Sequence, residues 1–93
     1  MSTERRYAVL TAVGADRPGL VQEISQSILE ASGNLEDSRM AVLGGEFALI
    51  VLLSADPVAI ERLRGVLPKL ESQLGLRVSM HDTRAAEASP AKP

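Results

Sequence analysis

The stretch Tyr7-Ala-Val-Leu-Thr-Ala-Val-Gly-Ala-Asp-Arg-Pro-Gly-Leu20 joins two kinds of structure across a glycine-bounded turn. Its first half, from about Arg6 to Val13, is apolar and partly β-branched, and it reads as a strand. Its alternation sets Tyr7, Val9, Thr11 and Val13 on one face and Ala8, Leu10 and Ala12 on the other. Both sets are largely apolar, which suits a central strand. Gly14 then permits a sharp exit from the strand. Pro18 fits the first helical position, where a missing N–H costs nothing, so that Arg17 becomes the N-cap and Asp16 sits beside the positive end of the helix dipole.

The rest of the chain repeats this grammar. Leu20, Ile24, Ile28 and Ala31 recur at helical spacing with Val21 alongside, so the spacing predicts a helix over 18–32, closed by Gly33 as a C′ glycine. A second strand runs over 35–43, with Leu35, Asp37, Arg39 and Ala41 on one side and Glu36, Ser38, Met40 and Val42 on the other. Gly44-Gly45 is a two-residue hairpin signal. Residues 46–54 are almost wholly apolar, as a buried central strand requires. Asp56-Pro57 opens a second helix with the stripe Ile60, Leu63, Leu67, Leu70 and Leu74; Pro68 is expected to kink or divide it, and Gly75 closes it. A last strand over 76–82 sets Leu76, Val78 and Met80 against Arg77, Ser79 and His81. Residues 83–93 are Ala/Pro-rich and read as a flexible tail or linker.

The order βαββαβ is the split βαβ, ferredoxin-like pattern, an α+β domain over 6–82. With right-handed crossovers it folds as a four-stranded antiparallel sheet carrying both helices on one face, its first and third strands central.

Composition removes several classes of function. The chain has 93 residues, a net charge of −2 and two aromatic residues, Tyr7 and Phe47. It has neither the basic patch that a phosphate backbone attracts nor a platform on which bases stack, so direct nucleic-acid binding is not expected. Without cysteine, disulfides and thiolate metal sites are excluded. No apolar run approaches the ~18 residues of a membrane span, and no signal-peptide core follows the N-terminus, so a soluble cytoplasmic protein is expected. His81 is the only histidine, read as an exposed strand residue. No metal spacing, nucleophile elbow or P-loop lysine is present, and neither catalysis nor a cofactor is expected. Acylphosphatases share the βαββαβ order, and Arg17 and Asn34 can be cast in their roles. Their arginine loop is longer and differently patterned, however.

What remains is small-molecule recognition. The amides of Gly19, Leu20 and Val21 can receive a carboxylate or phosphate, and Asp16 can take an ammonium group. The candidate ligand-binding residues are Asp16, Arg17, Pro18, Gly19 and Leu20 in the turn, with Asn34 and Leu35 at the start of strand two. A helix of about 15 residues separates these two corners by roughly 20 Å. One amino acid therefore touches both only if they come from two protomers side by side. The same turn residues also serve as an ordinary strand-to-helix connection. Likewise Glu36, Asp37, Ser38 and Arg39 form either a partner-binding patch or a solvated edge that resists aggregation.

Over residues 7–82 the chain resembles the ACT domains, which are regulatory modules that bind amino acids. Gly14-Ala-Asp-Arg-Pro-Gly19 in the first turn and Gly33-Asn34-Leu35 before strand two carry the resemblance. The longer run Asn34-Leu-Glu-Asp-Ser-Arg-Met-Ala-Val-Leu-Gly44, with Glu46-Phe47 and Leu52-Leu53-Ser54, is similar to ACT domains of repressors of the glycine cleavage system. The resemblance implies an allosteric, non-catalytic role, with Asp16 and Asn34 at positions that contact ligand in amino-acid-binding members. At Gly14 some members carry a helpful side chain that is missing here. It also implies glycine or a similar amino acid as ligand, a homodimer or second ACT domain as partner, and a transcriptional activator engaged by protein contact without touching DNA. Such repressors carry two ACT domains in tandem, so the chain reads as a fragment or as a single-domain relative that must dimerise. The alternatives are a ligand-free interaction module and a regulatory domain cut from an enzyme of amino-acid metabolism.

Overall fold

The computed structural model describes residues 5–83. Its elements are β1 (Arg6–Ala15), α1 (Leu20–Glu30), β2 (Asn34–Leu43), β3 (Glu46–Ala55), α2 (Pro57–Leu74) and β4 (Leu76–Thr83). They form one antiparallel sheet in the order β2-β3-β1-β4. The expected ferredoxin-like architecture and the central places of β1 and β3 both stand. Thr83 belongs to β4 and not to a tail; the remainder of that expected tail lies outside the described residues.

The core fills one side of the sheet. Ala8, Leu10 and Ala12 of β1, Phe47, Leu49, Val51 and Leu53 of β3, and Leu76, Val78 and Met80 of β4 are buried. Against them pack Leu20, Ile24 and Ile28 of α1 and the expected stripe Ile60, Leu63, Leu67, Leu70 and Leu74 of α2. Small alanines on β1 let the helices approach closely over the middle of the sheet. Gly44 (φ 57°) and Gly45 (φ 91°) both take positive φ, the geometry of the two-residue turn that matches strand twist.

Three local expectations need correction. Gly14 is not an exit from the strand, because β1 continues to Ala15 and Gly14 pairs with Phe47 and Leu76. A Cβ there would lie 2.7 Å from Leu76 Cδ2, 3.1 Å from the Gly75 carbonyl and 3.2 Å from Leu76 Cα. The position thus needs glycine because the α2–β4 corner crosses it. Helix α1 starts two residues late: its N-cap is Gly19 at φ 86°, not Arg17, so Pro18 precedes the cap and does not occupy the first helical turn. Its end is shifted too. Ser32, not Gly33, holds the left-handed position (φ 70°), with Ser32 N–H donating to Leu29 O and Gly33 N–H to Ile28 O, both at 2.9 Å. Gly33 is needed because a Cβ would approach Ile28 Cγ2 to 2.8 Å.

Helix α2 begins as expected, the Asp56 carboxylate accepting from Ala59 N–H at 2.8 Å behind Pro57. Pro68 does not divide it. Pro68 lies on the exposed side, where the Arg64 carbonyl it leaves unbonded can turn to water, while Leu63, Leu67 and Leu70 pin the opposite side to the sheet.

Ser32 lacks glycine's freedom at a left-handed residue, so Ser32→Gly should stabilise the fold by about 1 kcal/mol. Gly14→Ala should destabilise it by about 1–3 kcal/mol, because part of the overlap is with backbone that cannot swing aside. Urea unfolding of both variants, with unchanged slope, is the measurement.

Candidate functional site

Strand β2 is exposed along all ten of its residues, although every one but Glu36 pairs with β3. Helix α1 passes beside it but does not cover its inner side chains. The result is an open groove whose walls are the exposed flank of α1 and the helix-facing side of β2. At one end an open hollow of about 660 Å³ is lined by Asp16, Arg17, Gly19 and Leu20 from the turn, and by Met40 and Val42 from β2. Val21 and Ser25, one helical turn apart on α1, line it and also line a second hollow of about 250 Å³ beside Leu35, Glu36 and Ser38. The two hollows share Val21 and Ser25 and make one groove beside the first half of α1.

The first end is held by backbone. Asp16 N–H donates to Gly45 O at 3.0 Å, which ties the β1–α1 turn to the β2–β3 hairpin. The Asp16 carboxylate is exposed and makes no hydrogen bond or ion pair among the described residues. Because Gly19 cannot cap with a side chain, no side-chain cap covers the first amides of α1, and their partial positive charge faces the hollow. Arg17 reaches Glu23 at 3.8 Å, and both remain about half exposed. Such a surface pair contributes at most about 1 kcal/mol, and a stronger anion can displace Glu23 from Arg17. Amides able to bind an anion and a carboxylate able to bind a cation therefore lie within one short turn.

Asn34 and Leu35 lie at the far end. Asn34 pairs with Ser54, which pairs with Tyr7, whereas Asp16 follows Ala15 at the opposite end of β1. Eight strand residues put the two ends roughly 25 Å apart. Asp16, Arg17, Gly19 and Leu20 are thus brought together, while Asn34 and Leu35 are not brought to them. Met40, Val42, Val21 and Ser25 are groove residues that sequence reasoning did not single out. Alternation already put Met40 and Val42 on one side of β2; what it could not show is that α1 leaves that side bare.

A bulge changes part of that alternation. Leu35 faces Leu53 and Asp37 faces Leu52, leaving Glu36 as the extra residue. Leu35 therefore joins Ser38, Met40 and Val42 on the helix side, not Asp37, Arg39 and Ala41 as expected. The buried Ser54 hydroxyl donates to the Glu36 carboxylate at 2.6 Å. Next to the bulge, Ser38 N–H donates to Asp37 Oδ1 (2.8 Å), and Arg39 donates both to Asp37 Oδ1 (2.7 Å) and to Ser38 O (2.9 Å). The Ser38 amide bond, and after it Arg39, hold the Asp37 carboxyl below the usual aspartate range.

The family model of the ACT domain matches residues 6–81. The glycine cleavage system transcriptional repressor of Escherichia coli is 41% identical over 88 residues, covering 95% of this chain and 46% of that protein. A solved structure assigned to a repressor of that name superposes with a TM-score of 0.87 at 38% identity, covering 91% of this chain and 50% of the other. A UPF0237 protein of Methanopyrus kandleri is 42% identical over 73 residues, covering 76% of this chain and 81% of its own length. The chain spans about half the length of the repressors it matches. Among the described residues no helix is long and apolar enough to cross a membrane.

A depressed carboxyl keeps its bonds as pH falls through the ordinary aspartate range near ~3.9 and loses them only below it. In NMR titration the Asp37 carboxyl should have its midpoint below that of an ordinary aspartate, with the Ser38 amide shifting at the same pH. In Arg39→Ala the midpoint should rise but stay depressed, since the Ser38 bond is the larger cause.

Proposed function

The chain belongs to the ACT domain family, and we propose that it works as a regulatory domain which binds a small amino acid, glycine or one like it, in the groove between α1 and β2. One observation carries this reading: the Asp16 carboxylate, without a partner among the described residues, and the amides of α1 that no N-cap side chain covers open onto the same hollow. An α-amino acid presents the complementary pair, a carboxylate for the Leu20 and Val21 amides and an ammonium group for Asp16. Met40 and Val42 supply the apolar wall, and Arg17 is free to trade Glu23 for the ligand carboxylate. Pro18, just before the cap, stiffens the approach of the chain to Gly19.

The groove is much larger than a free amino acid and open along its length. A ligand there buries little of its surface until a second body narrows the space. That requirement supports a second ACT domain, from the same or another chain, as the partner. Asn34 and Leu35, too distant to meet a ligand held by Asp16 of the same domain, serve a ligand held by the turn of that partner. Ligand binding and domain pairing then stabilise one another, which is what a sensor needs. The likeness to repressors supports a further step, contact with a transcriptional activator in the cytoplasm without catalysis and without direct binding to DNA. The net charge of −2 agrees with the absence of a phosphate-binding surface.

Calorimetric titration of the 93-residue chain with glycine, serine and alanine tests the reading. At least one should give saturable heat, and Asp16→Asn should weaken it by about 10-fold or more, the loss of one charge-assisted contact, with thermal unfolding unchanged. No heat from any of the three, or a variant that binds as well as the parent, overturns it.

A further inference from the structure

The helical cover has a gap of its own. Between α1 and α2 an open cleft of about 350 Å³ has Glu30 and Ala31 on one wall and Arg62, Val66, Lys69 and Leu70 on the other. We propose that this cleft docks a helix of another protein, one that carries carboxylates seven residues apart with an apolar side chain between them.

Charge is the first ground. Arg17, Arg39 and Arg64 each reach a carboxylate of this domain, at 3.8, 2.7 and 3.2 Å. Arg62 and Lys69 are exposed and reach none among the described residues. Glu30, on the facing wall, accepts from Gln26 at 3.2 Å and pairs with neither cation. The α2 wall is therefore cationic and unneutralised, and its complement is acidic.

Spacing selects a helix. Lys69 follows Arg62 by seven residues, so the two cations share one side of α2 about 10 Å apart along its axis. A partner helix lying along the cleft, with Asp or Glu at i and i+7, repeats that distance. An extended segment does not, because its same-side residues fall about 7 or 13 Å apart. Duplex DNA presents one charge per about 1.7 Å and calls for a continuous basic surface. Here Glu30 faces the two cations and Glu61, held by Arg64, adjoins Arg62.

The apolar part of the cleft agrees with that geometry. Val66 lies four residues after Arg62 and three before Lys69, and it is 37% exposed. Ala31 and Leu70, each 5% exposed, form the floor, where the short alanine side chain leaves depth for a leucine or methionine. The partner thus presents anchors at i, i+4 and i+7, as a helix seated in a groove does. Exposed ion pairs alone hold little; the apolar anchor adds burial, and the carboxylates fix the register. Docking here rests on the reading of the domain as one that acts by protein contact, and not on its amino-acid site. The cleft shares no residue with the α1–β2 groove, although α1 borders both.

The probe is a labelled alanine-based helical peptide of about 18 residues with Glu, Leu and Glu at i, i+4 and i+7, titrated with the 93-residue chain by fluorescence anisotropy. It should bind with a dissociation constant below about 1 mM. The peptide with Gln in place of both Glu, shown by circular dichroism to be equally helical, should bind at least about 10-fold more weakly. Arg62→Glu and Lys69→Glu should each cost about 10-fold or more with thermal melts unchanged, because both side chains are exposed. Arg77→Glu, at an equally unpaired cation on β4, should change binding by less than about 2-fold. The Arg62→Glu, Lys69→Glu double variant should bind the peptide with Lys in place of both Glu, which the parent chain rejects. A dissociation constant above about 1 mM, equal binding of the Gln peptide, or a double variant that keeps the parent's preference overturns the proposal. So does a short DNA duplex that displaces the labelled peptide as well as unlabelled peptide does, or a dimer of the chain in sedimentation that the double variant dissociates. The glycine, serine and alanine titrations are repeated on the double variant and should be unchanged, so failure of this contact and failure of the ligand site are distinguishable.

Discussion

Two helices cover one side of four strands, and everything this domain offers to other molecules follows from where that cover stops. Burial is nearly complete beneath it: Leu10, Ile24, Ile28 and Leu53 are fully enclosed. Beyond it, β2 keeps its backbone pairing with β3 yet leaves Met40 57% exposed and Val42 47% exposed. Hydrogen bonds therefore hold β2 in the sheet while its side chains remain available. That division of labour turns an edge strand into the wall of a groove.

The same limit of cover gives the groove the form that the proposed regulatory role calls for. A pocket enclosed by one chain binds its ligand whatever its neighbours do. An open groove with charge at one end binds weakly alone and more firmly when another body roofs it, so occupancy and assembly become linked quantities. The turn supplies the charge because it is short and rigidly tied. Gly19 lets α1 start abruptly with bare amides, and the Asp16–Gly45 backbone bond holds the turn against the hairpin.

The glycines illustrate how local and long-range causes differ. Gly44, Gly45 and Gly75 take positive φ at places where turn chemistry alone demands them, and they were legible as punctuation. Gly14 and Gly33 are glycines for another reason: Leu76 and Ile28, far or near in sequence, fill the space a Cβ would need. A motif reader assigns all five to turns, and is wrong for the two whose cause is a neighbour.

By itself the sequence determined the element order, the central places of β1 and β3, the α2 stripe with its Asp56 cap, and the two ends of α1 as separate corners. These follow from periodicity, capping chemistry and helix length, all of which act between residues close in the chain. The resemblance carried by the first turn and the start of β2 led to the family. Only the tertiary structure decided that Met40, Val42, Val21 and Ser25 face an open groove, that a bulge at Glu36 turns Leu35 to the helix side, and that Ser38 is clamped by its neighbours. Which side chains stay uncovered depends on how far a packed helix reaches across a twisted sheet, and no local pattern along one strand encodes that distance.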